Sequence, residues 1–416
     1  MWRLSRHSSV PLAGIVLLVC ISLPVGTDAL NEDRQSADAP LPKDVDPSTR
    51  SRLPPIQREA LHERRKNEYD AAAASSPTGR PEGVAALRLH RSGVDVRWDS
   101  PVGRRLTELA IISTAREHDQ PYEWSLHEME ALSVGLEPHV IDIVRFRKAL
   151  TGLGEKEAAI IQFSRELGKH RVSAETYARA LKLFGRTNLV DVVDLMAQYT
   201  ATAANLTAAN QWLPPQMKQF LPLPFALPAD ILPDSRSRIP VVNHDQSAPP
   251  QAAVPQAPGG LYRRTLAPPP TGPSSMGRFA AGLKSLESSQ GRALMALAVL
   301  ITAREHDQQY DWAMNEPGAR EDGVSAAVID IVRLRKPVAE LGSRDKEATL
   351  IQFGRELFGK HYVTVETYAR AKQVFGQRDL SDLVVGLMAP HAREAVLLTA
   401  FDQHVPAGIK PSLPIP

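Results

Sequence analysis

A single cysteine, Cys20, stands among 416 residues, and it lies inside the only long apolar run, Val10 to Val25. That run follows Arg3 and Arg6, is interrupted by Pro11 and Pro24, and precedes the small-residue stretch Thr27-Asp28-Ala29. This is the pattern of a cleaved export signal rather than of a membrane span. Residues 1–29 are therefore expected to leave as a signal peptide, giving a secreted or periplasmic chain with no membrane segment. Removing them removes Cys20, which excludes disulfides, thiolate nucleophiles and cysteine-based metal sites. Charge of one sign is lacking too: 49 Lys and Arg against 47 Asp and Glu leave a net charge of +2. Such a chain has no basic field for nucleic acid and no acidic one for cationic partners. Strand-like alternation is also absent, so the expected fold class is all-α.

What the chain does have is itself, twice. Thr114-Ala-Arg-Glu-His-Asp-Gln-Pro-Tyr-Glu-Trp124 returns as Thr302-Ala-Arg-Glu-His-Asp-Gln-Gln-Tyr-Asp-Trp312, and Arg104 to Gly154 aligns without gaps on Arg292 to Gly342. Ser51-Arg52-Leu53-Pro54 has its counterpart in Ser237-Arg238-Ile239-Pro240, and both copies close on Leu-Thr-Ala, at 206–208 and 398–400. The prolines crowd outside these segments. The expected organisation is a disordered extension over 30–50, a first domain over 51–224, a Pro-rich linker over 225–276 and a second domain over 277–416.

Each copy reads as packed antiparallel helices. Apolar spacing places one helix over Arg105–His118. Pro121 opens the next and Gly135 closes it, Pro138 opens another, Glu155–Leu167 is strongly helical, and Ser173 caps Ala174–Phe184 ahead of Gly185. A longer helix is expected from about Leu189 to Asn210.

Residues shared by the copies serve what the copies share, so the positions that fail to repeat carry more information. Glu108 and His127 become Ala296 and Asn315, although Tyr122, Trp124, Arg116 and His118 keep their counterparts. Glu123 precedes His127 by one helical turn and shares its face. A carboxylate beside an imidazole is a proton shuttle in waiting, because histidine titrates near neutrality and the carboxylate fixes its tautomer. Tyr122 and Trp124 flank the pair as candidate walls for a small ligand. The competing reading is a Glu–His hydrogen bond that merely fixes a helix crossing. Arg116, His118 and the pairs Arg145/Arg147 and Arg333/Arg335 recur in both copies and read as structural salt bridges, fold residues and a solvated helix face. His127 and Glu123 lack a third ligand at metal-binding spacing, so no metal site is expected.

Glu108-Leu-Ala-Ile-Ile, Tyr122-Glu-Trp-Ser-Leu-His127 and Gly135-Leu136 together resemble the carboxymuconolactone decarboxylase family, which includes the alkylhydroperoxidase D-like proteins. The likeness extends over both repeats. It implies two tandem helical-bundle domains and oligomerisation, here a trimer of fused pseudo-dimers. The peroxidase branch of the family uses a Cys-x-x-Cys pair, whose slots fall on Gln120 and Glu123 here, so thiol peroxidase chemistry is not expected. The decarboxylase branch lacks the cysteines and carries a Glu four residues before the His. The resemblance thus implies a cofactor-free acid/base lyase acting on a small acidic or aromatic-derived compound, a carboxylated lactone or keto acid. His127 would be the acid/base, Glu108 its orienting partner and Glu123 a second proton carrier. Arg104 or Arg116 would meet a substrate carboxylate, Tyr122 and Trp124 would line the site, and repeat two would be degenerate. The rival from another class is a non-catalytic binding module or a purely structural helical protein.

Overall fold

The computed structural model describes residues 40–75, 79–240, 275–410 and 412–414. The expected signal peptide and most of the expected linker lie outside them. Every regular element among the described residues is helical, and the only β pairing is two isolated bridges, Asp46 to Ser51 and Leu232 to Ser237. The protein is all-α.

After α1 (Glu63–Ser75) and two short helices, α2 (Leu87–His90) and α3 (Val96–Asp99), repeat one runs through α4 (Arg104–Glu117), α5 (Pro121–Ser133), α6 (Pro138–Arg145), α7 (Glu155–Leu167), α8 (Ala174–Phe184) and α9 (Arg186–Ala209). Repeat two follows as α10 (Ser275–Gln290), α11 (Arg292–Glu305), α12 (Gln309–Glu321), α13 (Ala326–Arg333), α14 (Asp345–Gly354), α15 (Val365–Phe375), α16 (Gln377–Leu383) and α17 (Ala389–Ala400). The boundaries have local causes. Pro121 sits in the first turn of α5, where its missing N–H costs nothing, and the Gln120 side chain accepts from Tyr122 N–H. Ser173 Oγ accepts from Thr176 N–H to cap α8, and Gly185, at φ 71°, separates α8 from α9.

Repeat two differs from repeat one by two widened helical turns. Arg355–Lys360 and Val384–Met388 form π turns, each taking up one residue more than the matching stretch of repeat one. Pro390 explains the second. It lacks an N–H, its ring crowds the carbonyl of Gly386 four residues back, and the wider turn relieves that contact. The run Gln377–Ala400 is long and apolar enough to cross a membrane by length and composition, but it packs against α9 as a core element.

The repeats join through α9 and α17, which pack along each other. Val396, Leu397, Ala400 and Phe401 of repeat two belong to the repeat-one core, and Ala208 of repeat one belongs to the repeat-two core. Each copy's leading segment latches onto the end of the other copy's last helix. Arg52 N–H donates to Phe401 O at 2.7 Å, and Arg238 N–H donates to Ala209 O at 2.8 Å. Each guanidinium also reaches its own copy, Arg52 to Val172 O at 3.0 Å and Arg238 to Val363 O at 2.8 Å. Residues 40–50, expected within a disordered extension, are therefore part of the fold: Val45 is buried and Arg50 Nε donates to Val405 O. The start of the expected linker is ordered for the same reason, with Arg236 Nε bonded to Leu213 O and Phe225 stacked near Tyr362.

The duplicated Arg-Glu-His-Asp-Gln block lies at this junction. Arg116 pairs with Asp119, and Arg304 with Asp307. Asp119 faces His361 of the other repeat at 3.6 Å, while Asp307 faces His170 at 3.5 Å. His118 lies 5.6 Å from His361 and His306 lies 5.5 Å from His170, ring to ring. These four imidazoles line a small cavity, shared with Met196, Thr200 and Phe358. Gln120 and Gln308 reach Thr207 and Thr399 on the last helices. Of the pair expected on a solvated face, Arg147 is exposed and Arg145 is half-buried against Glu128 and Asp142. Arg147, at φ 48°, turns back to bond Arg116 O beside Glu117 and Asp119.

Candidate functional site

The first position that fails to repeat, Glu108, sits midway along α4 with no exposed surface. A carboxylate so placed must be paired or neutral. It is paired three times: with His127 Nδ1 at 2.7 Å from α5, with Arg104 at 2.9 Å from its own helix, and with Arg97 Nε at 3.2 Å from α3. Trp98 backs the cations, its ring centroid 3.9 Å from the Arg104 guanidinium carbon and 4.8 Å from that of Arg97. Arg104 also reaches Glu130 at 3.2 Å. Tyr199 of α9 stands edge-on to His127, with ring centroids 4.9 Å apart.

These surroundings set the protonation states. Burial pushes Glu108 upward, but the His127 hydrogen bond and the Arg97 and Arg104 charges prevail and hold it below the usual carboxylate range. For His127 burial wins, pulling it below 6.5 against the upward pull of Glu108. The two directions agree on one state at neutral pH, a neutral imidazole beside an ionised carboxylate that the arginines keep charged. Glu108 receives the Nδ1 proton, which leaves the Nε2 lone pair as the basic site. Burial raises the Tyr199 hydroxyl, so it stays protonated.

Glu123 is the opposite case. It is 2% exposed, neither oxygen has a hydrogen-bond partner, and burial alone raises it well above 4.5. It is a neutral carboxylic acid, one turn before His127 and not bonded to it.

The expected substrate-contact residues are placed differently from the dyad. Trp124 has no exposed surface and donates its indole N–H to Glu128 at 2.7 Å, so it is a core residue rather than a ligand wall. Tyr122 lies five residues before His127, about 140° round the helix, on another face. Arg116 lies eight residues beyond Glu108, about 12 Å along α4, and is spent on Asp119 and Arg145 O. Arg104 is the member of the Arg104/Arg116 pair that the fold brings to Glu108.

Arg97, Trp98, Glu130 and Tyr199 were not reached from the sequence, yet all four carried the same signal. Arg97 and Trp98 align with Ser285 and Leu286, Glu130 with Gly318, and Tyr199 with His391, so these positions also fail to repeat. In repeat two the remaining arginine, Arg292, turns to Asp322 at 2.8 Å. No protein-family model, curated protein or solved structure matches this chain.

Proposed function

We propose that repeat one is an acid–base lyase site acting on a small carboxylated lactone or keto acid, without a cofactor, as the resemblance to the carboxymuconolactone decarboxylases implies. The observation that carries the reading is the buried Glu108–His127 hydrogen bond, with the carboxyl of Glu123 buried and unpartnered one helical turn away and raised well above 4.5 by burial. One group is thereby held as a base and its neighbour as an acid, which is the division of labour that proton transfer needs. Arg97 and Arg104 have donors beyond those given to Glu108 and would attract the substrate carboxylate. Heterolysis of the bond to that carboxylate releases carbon dioxide and leaves the electron pair on the adjacent carbon. Glu123, or His127 after it has taken up a proton from solvent, then delivers the proton that completes the product.

The pairing of the repeats within one chain supports the expectation of a fused pseudo-dimer, which a further assembly into trimers would extend. A second reading has its own observation: Glu108, saturated by two arginines and an imidazole, also ties α3 to α4 and α5. His127→Asn separates the two, since it reproduces what repeat two has. Under the catalytic reading the variant keeps its fold and its affinity for a carboxylated lactone but loses most of its turnover. Undiminished turnover refutes that reading, and a large loss of stability without loss of rate favours the structural one.

A further inference from the structure

Repeat two has lost Glu108 and His127, but it has not lost an imidazole–carboxylate pair. Asp311 of α12 occupies the position of Glu123 and is 3% exposed. Its Oδ1 accepts from Asn315 Nδ2 at 2.7 Å, so the residue that replaced His127 now positions a carboxylate. Its Oδ2 has no hydrogen-bond donor. Across the helix interface His391 Nδ1 of α17 lies 3.5 Å away, also without a hydrogen-bond partner. His391 stands where repeat one has Tyr199. The π turn Val384–Met388 lies just before it and restores, after a one-residue insertion, the phase that brings position 391 onto α12. Two unsatisfied polar atoms facing each other across a helix interface are costly in a fold that could have kept tyrosine there.

We infer that Asp311 and His391 form a second acid–base pair, at the place in repeat two that corresponds to the repeat-one dyad but built from different helices. The substrate class rests on the reading proposed for repeat one, a small carbanion-forming acid or lactone that takes up a proton, whereas the pair itself does not.

The surroundings differ in charge from those of repeat one. Arg97 has no counterpart and Arg292 points to Asp322, so neither of the arginines that hold Glu108 has an equivalent at Asp311. The titratable groups around His391 are Asp311 from α12 and Glu394 from its own helix, the latter 3.9 Å from Nδ1 and half-exposed. Tyr310 lies near both carboxylates, and Arg393 is engaged with Asp194. Burial pulls His391 down, but the two carboxylates outweigh it and raise the imidazole above 6.5. Repeat one thus holds its histidine ready to accept a proton, and repeat two holds one ready to give a proton.

Diethyl pyrocarbonate, which modifies unprotonated imidazoles, tests this on the full mature chain with mapping by peptide mass spectrometry. His391, with 23% of its side chain exposed, should react with a pH midpoint above 6.5, and Asp311→Asn should bring that midpoint down by at least half a unit. A sealed, unreactive His391, or a midpoint indifferent to Asp311→Asn, overturns the pair. Decarboxylation of a carboxylated lactone then tests its use. His127→Asn should leave residual turnover that His391→Tyr, the repeat-one residue, lowers at least tenfold. A His127→Asn protein with no turnover, from a wild type that has it, overturns a catalytic role for repeat two. Absence of turnover in the wild type refutes the proposed reaction, while reagent mapping still decides the pair.

Discussion

Acid should loosen the junction between the repeats through His306, and one substitution isolates the effect. His306 is 5% exposed, hydrogen-bonds Thr302 O through Nδ1 at 2.8 Å, and packs against His170 and Phe358. Burial first, then the nearby His170, bring it down to about 3, against weaker upward pulls from the Thr302 carbonyl and Asp307. Its folded value lies below the 6.5 of an unfolded histidine, so between those values the unfolded chain binds more protons. Stability is therefore lost as pH falls from 6.5 towards 3. Between pH 7 and pH 5 one such group removes about 2 kcal/mol, a sizeable part of a typical folding free energy. His118 acts in the same direction, and so does His90, brought down to about 4 chiefly by burial. Glu117 and Glu305, raised by burial, oppose them, because the folded chain takes up their protons before the unfolded chain does as pH falls. A difference between proteins cancels these shared contributions. Urea unfolding at pH 7 and pH 5 should show wild type losing about 2 kcal/mol more than His306→Gln over that interval. Equal losses would refute the assignment of a buried neutral imidazole at the junction.

Three further outcomes follow from the packing and the charges. Leu53→Ala removes a fully buried side chain from the segment that latches onto α17, and should cost about 2–5 kcal/mol in urea unfolding; a cost under about 1 kcal/mol would mean the segment is not seated. Glu108→Ala leaves Arg97 without its carboxylate and Arg104 with Glu130 alone, and should cost about 3–5 kcal/mol. Adding Arg97→Ser, as in repeat two, should recover part of that loss, and strict additivity would contradict the coupling. Glu123 has a folded value above its unfolded one, so wild type loses stability as pH rises from 4.5 through that raised value. Glu123→Gln should therefore gain on wild type in thermal melts between pH 5 and pH 8, and a gap that shrinks with pH would speak against a protonated acid.

Helix positions were legible because their signals are local. Pro121, Ser173 and Gly185 act within one turn, and α7 and α8 fall where spacing and caps put them. The Glu108–His127 contact was legible for a different reason, since the second copy had replaced both members together. The latches at Arg52 and Arg238 were hidden because their partners lie in the other repeat, where composition suggested only extension and linker. Arg116 and Trp124 looked like ligand contacts because their chemistry is suitable, but side-chain direction is settled by packing. Arg97 and Tyr199 come from segments distant in sequence, yet their failure to repeat marked them. His391 was concealed by the inserted residue that the π turn absorbs, which shifts the correspondence between the last helices by one position.

The central claim is that repeat one protonates a carbanion left by a departing carboxylate. It is tested most directly by running wild type on a carboxylated lactone in deuterium oxide and analysing the product by mass spectrometry and NMR. The account predicts one deuterium per carbon dioxide released, at the carbon that carried the carboxylate, with the rate reduced to the residual repeat-two level in His127→Asn and sharply reduced in Glu123→Gln. Undiminished carbon dioxide release in both variants, or a product without deuterium at that carbon, would contradict it.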